Sequence, residues 1–145
     1  MRVPIVTVAV CNGSEDTIEM LSAALTLRGY RAVGAVVTAI KRGRLNLEEF
    51  LARENPQVVV WDISLPYEEN WLGFQSLRAQ LVRGQRGVVL TTTHKANLDR
   101  LVATDTGAIE VVGKPYDINL ICDAVQRALP GGSAVTSERT GVSID

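Results

Sequence analysis

Apolar and polar positions along the chain switch repeatedly between two periods. Val3 to Val10 (VPIVTVAV) is a near-continuous apolar run of the kind a strand covered on both faces requires, and Asn12-Gly13-Ser14 breaks it. Ile18, Leu21, Ala24 and Leu25 then recur at helical spacing. Ser14 is placed to cap that helix, Glu15 and Asp16 sit in its first turn, and Gly29 stops it. RAVGAVV reads as a second, weaker strand and IKRGRLN as a loop. Leu47, Phe50 and Leu51 predict a short helix that must end before Pro56. QVVVWD is the third strand, Phe74, Leu77 and Leu81 mark a helix ending near Gly84, and GVVLTT is the fourth strand. Leu98, Leu101 and Val102 predict a short helix closed by Gly107. AIEVV is the fifth strand, followed by Lys114-Pro115. Ile118, Ile121, Cys122, Val125 and Leu129 then share one face of a last helix, stopped by Pro130-Gly131-Gly132.

Strand and helix thus alternate five times, which predicts an α/β domain with a parallel sheet, right-handed crossovers and helices on both faces. Residues 1–130 form one domain in this reading. Residues 131–145 (GGSAVTSERTGVSID) have little apolar content and are expected to be a flexible tail. In such doubly wound folds ligands gather beyond the carboxyl ends of the strands, at the switch in strand order, so the strand tips are where chemistry is to be sought.

Composition narrows the classes. The formal net charge is −1, which gives no overall attraction to nucleic acid or an anionic membrane. No apolar stretch approaches the ~20 residues that span a bilayer. MRVPIVTVAV is too short and strand-like for a signal peptide, and Cys11 and Cys122 stand without metal-ligand or CxxC spacing, as small buried hydrophobes. The expected location is the cytoplasm.

The tips carry a distinct set of polar groups. Strand three ends in Asp62, strand four in Thr91-Thr92-Thr93-His94, and strand five runs into Lys114-Pro115. An unpaired carboxylate at the end of a dry strand is costly, so Asp62 needs partners. Asp62-Ile-Ser-Leu-Pro66, a threonine closing the next strand, Thr106-Gly107-Ala108 and a Lys-Pro after strand five resemble the receiver domains of bacterial response regulators, over roughly residues 5 to 129. The resemblance implies a CheY-like, flavodoxin-like fold with a five-stranded parallel sheet in the order 2-1-3-4-5. It implies a signalling domain rather than an enzyme, with Asp62 as phosphoacceptor, Lys114 pairing with it, and Thr92 donating its hydroxyl to a phosphoryl oxygen. It also implies a histidine kinase or phosphotransfer protein as donor and a downstream protein partner or a second copy as target; on charge and hydropathy neither nucleic acid nor a membrane is expected as partner.

The chain departs from the family pattern in several places. The acidic pair that holds Mg²⁺ after strand one falls on Asn12 and Gly13, which leaves Asp62, the Asn12 amide oxygen and the Ser64 backbone carbonyl as candidate ligands. Mg²⁺ is therefore expected to bind weakly or not at all. Glu15 and Asp16 read as first-turn decoration. Val111 stands where the family often has a switching aromatic residue, and Asn70 where it usually has a glycine at a left-handed turn. The Lys41, Arg42 and Arg44 patch in the long segment after strand two is either a solvated loop or a partner contact. His94 is read as an exposed residue bordering the site, and Trp61 and Trp71 as packing residues.

Two functions stay open on these residues. One is a receiver accepting phosphate on Asp62. The other is a pseudo-receiver, a protein-interaction adaptor in which Asp62 is a structural remnant. A flavin- or nucleotide-binding domain of similar topology ranks third, because CNGSED lacks a glycine-rich phosphate turn. No output domain follows within the chain, so output is expected to pass through protein contact.

Overall fold

The computed structural model describes residues 5–64, 66–83, 86–93, 109–113 and 117–129. The strands are β1 (Thr7–Asn12), β2 (Arg31–Val36), β3 (Val58–Ile63), β4 (Gly87–Thr92) and β5 (Ile109–Gly113). The helices are α1 (Glu15–Leu27), α2 (Val37–Lys41), α3 (Leu47–Glu54), α4 (Tyr67–Val82) and α5 (Ile118–Ala128). All strand pairs are parallel, in the order β2-β1-β3-β4-β5, so the chain reverses its winding between β1 and β3. The helix expected around Leu98 to Val102 and the tail from residue 131 lie outside the described residues.

Alternation along the strands divides the core into two layers. One holds Ala9, Val59, Trp61, Leu90 and Phe74, under α2, α3 and α4. The other holds Val8, Val10, Val60, Val89, Leu25 and Ile121, under α1 and α5. Every described residue of β1, β3 and β4 is buried, which is why those segments read as unbroken apolar runs rather than alternating ones. Ser14 caps α1 as expected, its hydroxyl accepting from the Thr17 N–H at 3.2 Å. Gly29 ends α1 at φ +94°, a conformation costly for any residue with a Cβ. Asn46 and Asp117 cap α3 and α5 in the same way as Ser14 caps α1.

Two expectations are corrected. The segment read as a loop from Ile40 to Asn46 begins inside a helix, because α2 takes up Val37 to Lys41 directly after β2. Five residues rich in β-branched side chains give no usable period. The turn is held instead by burial of Val37 and by Ile40 packing on the core. Asn70 does not form a left-handed turn. It lies in the first turns of α4, and the non-glycine residue with positive φ among those described is Asn55, after α3.

Candidate functional site at the carboxyl ends of β1, β3 and β4

The β3–β4 register places Asp62 opposite Thr91 and Ile63 opposite Thr92. Cys11 pairs with Trp61, so Asn12 follows beside Asp62 on the same side of the sheet. Asp62 is 6% exposed and Thr91 fully buried, and the Thr91 hydroxyl donates to Asp62 Oδ1 at 2.7 Å. A hydroxyl-to-carboxylate bond of this length in a poorly hydrated setting is of the strong, charge-assisted kind. It answers the cost of ending an apolar strand on a carboxylate.

Of the residues singled out from the sequence, Asp62 and Asn12 are thus brought together at the point where the strand order switches. Thr92 stands one residue beyond the threonine in hydrogen-bond contact with Asp62, buried and level with Ile63. Lys114 and His94 fall outside the described residues. Sequence reasoning missed Thr91. Side chains that face each other across parallel strands share a side, so pairing the tips of QVVVWD and GVVLTT would have singled it out. Thr91→Val is expected to destabilise the fold by about 1–3 kcal/mol, because it leaves a buried carboxylate oxygen short of its donor. Thr91→Ser, which keeps the hydroxyl, should recover most of that loss. Urea unfolding of the three proteins checks both.

Two of the candidate metal ligands already accept hydrogen bonds within the protein. Asn12 Oδ1 accepts from the Ser14 N–H at 2.9 Å, folding the β1–α1 connection into an Asx-type turn. The Ser64 carbonyl accepts from Asn70 Nδ2 at 2.7 Å. Among the described residues no three His, Cys, Asp or Glu side chains come together. Glu15 and Asp16 are exposed in the first turn of α1, where the helix dipole favours them. Of these three candidates Asp62 alone is a carboxylate, and the Asn12 and Ser64 oxygens each already accept one protein hydrogen bond. Cys11, next to Asn12, is no nucleophile, since burial pushes its thiol up to about 12. No helix among the described residues is long and apolar enough to cross a membrane.

No protein-family model matches the chain. Among curated proteins it is 26% identical over 103 residues to the TorCAD operon transcriptional regulatory protein TorR of Escherichia coli K12, an alignment covering 71% of this chain and 44% of that protein. The protein of the same name from E. coli O157:H7 matches equally. The chain therefore spans less than half the length of the curated relatives it matches. Among solved structures, the chemotaxis protein CheY4 of Vibrio cholerae superposes with a TM-score of 0.67 at 19% identity, over 87% of this chain and 100% of that one. A transiently phosphorylated switch in bacterial signal transduction gives 0.64 at 22% identity over 88% and 96%. A CheY-like receiver domain from Methylobacillus flagellatus gives 0.61 at 15% identity over 84% and 99%. By its sheet order and these superpositions the chain has the fold of the CheY-like receiver domains of response regulators.

Proposed function

We propose that this chain is a receiver module of two-component signalling that accepts a phosphoryl group on Asp62. The observation that carries the reading is a single carboxylate at the tip of the central strand, held at Oδ1 by the Thr91 hydroxyl. In the reaction one Asp62 oxygen attacks the phosphorus of a phosphohistidine on a kinase or phosphotransfer protein. The P–N bond breaks as the P–O bond forms, and the leaving imidazole takes up a proton. Such transfers depend on positioning and on neutralising charge more than on covalent chemistry. In this proposal Thr91 fixes the rotation of the carboxylate, while Lys114 and Thr92 are the family-matched groups for the phosphoryl oxygens. Mg²⁺ plays at most a weak part. The module passes its signal on through protein contact and is no free-standing catalyst.

A second reading is favoured by the commitment of the Asn12 and Ser64 oxygens to backbone and side-chain donors. In it the domain works as a phosphorylation-independent adaptor, and Asp62 serves the fold alone. Intact mass after incubation with acetyl phosphate, with and without Mg²⁺, separates the two. The receiver reading expects one phosphoryl adduct on the wild type and none on Asp62→Asn. The adaptor reading expects none on either.

A further inference from the structure

Beside Asp62, between α2 and α4, lies a cavity of about 310 Å³, in the size range of small-molecule sites. Its apolar lining comes from Trp61 on β3, Ile40 on α2, and Phe74 and Leu77 on α4, with Trp61 and Phe74 supplying aromatic walls. Asn70, Gly73, Phe74 and Leu77 recur at helical spacing, so a single stripe of α4 forms one wall. Gly73 sits in the middle of that stripe, where glycine is the least helix-favouring residue after proline. A Cβ built on Gly73 meets nothing within 4 Å, so its lack of a side chain preserves open space that neither packing nor backbone geometry requires.

The polar lining is equally specific. Lys41, at the end of α2, donates to Asn70 Oδ1 across the mouth, and Asn70 Nδ2 in turn holds the Ser64 carbonyl. Among the described residues Lys41 makes no ion pair, and its described partner is the neutral Asn70 amide oxygen. Arg42 and Arg44 follow it and add to the positive potential. Glu68 and Glu69 of α4 do not line the cavity. The one acid that does, Asp62, is held at the strand tip by Thr91.

We infer that this cavity is a binding site for a compact organic anion with an aromatic or branched apolar body, its acid group meeting Lys41 and Asn70 and its body lying against Trp61 and Phe74. Asp62 lines the same cavity, so a phosphoryl group on it would oppose a bound anion. The site would give the β3–α4 connection a second input, because the ligand would bridge α2 and α4 beside that residue.

The test uses naphthalene-2-carboxylate as probe on the full chain, with naphthalene-2-carboxamide as the neutral control, read by calorimetry and tryptophan fluorescence. The expected result is saturable binding of the carboxylate at one site, weaker by about tenfold in Lys41→Gln, which removes a charge-assisted hydrogen bond. Gly73→Leu should abolish it by filling the space, and circular dichroism and thermal unfolding would confirm that the variant is folded. Absence of saturable binding at millimolar probe would overturn the inference. So would binding that neither substitution changes, or an equal affinity for the carboxamide, since the first places the probe elsewhere and the second denies Lys41 its part.

Discussion

Gly87→Ala should lower the stability of the domain by about 3 kcal/mol, at or above the upper end of the usual overpacking range. Gly87 opens β4, pairs with Val58 and donates its N–H to the Gln57 carbonyl at 2.9 Å, so its position is fixed on the sheet side. A Cβ added there would lie 1.8 Å from the carbonyl oxygen of Ala128 and 2.6 Å from its carbonyl carbon. Those are backbone atoms of the last turn of α5, which cannot swing aside as a side chain can. Relief requires α5 to lift from the sheet, although Ile121, Cys122, Ala124, Val125 and Ala128 are all buried beneath it. The urea midpoint should fall accordingly. The double variant with Ala128→Gly should stay destabilised, because trimming that residue removes the Cβ contact at 2.8 Å and leaves the carbonyl in place. A full rescue by Ala128→Gly would show that the close approach is one of side chains alone.

Phe74→Ala carries the other large effect, about 3–5 kcal/mol for loss of a buried phenylalanine and the void it leaves. Phe74 is 1% exposed and joins both tryptophans, stacked on Trp71 at 5.6 Å between ring centroids and tilted against Trp61 at 6.3 Å. It also forms a wall of the cavity next to Asp62, so its removal enlarges an existing space rather than opening a sealed one. Partial hydration of that space would set the cost toward the lower end of the range. Tryptophan emission should shift to the red, because Trp61 and Trp71 lose the same apolar neighbour. An emission unchanged from wild type, together with a loss of stability below about 1 kcal/mol, would contradict this packing.

The sequence made the sheet legible because a strand buried on both faces leaves a strong mark. GVVLTT is β4 residue for residue, and QVVVWD differs from β3 by its first residue and by Ile63. The Ser14 cap and the Gly29 stop were equally readable, since each acts through its own local chemistry. The failures are of another kind. VTAIK is a short helix, with β-branched Val37, Thr38 and Ile40, held in place by its neighbours, and no local signal announces it. Asn70 was read through a family position, yet here α4 has already begun at Tyr67 and the side chain is used to tie Lys41 to Ser64.

The site shows the same division. Asp62 stood out as a charge ending a dry strand. Which threonine meets it depends on the pairing of two strands far apart in sequence, and a shift of one residue turns the side chain to the other layer. That Asn12 and Gly13 carry no carboxylate was plain, but the engagement of the Asn12 and Ser64 oxygens follows from the path of the β1–α1 loop and from α4.

In the proposed function Asp62 receives the phosphoryl group. The most direct test is transfer from a phosphorylated histidine-containing phosphotransfer protein, followed by borohydride reduction and peptide mapping. A first hydride expels phosphate from an aspartyl phosphate to give the aldehyde, and a second reduces that to homoserine at the modified position. Homoserine is expected at residue 62 in the wild type and not in an unphosphorylated control. Homoserine at another position, or a folded domain that takes up no phosphoryl group from any such donor, would contradict that assignment.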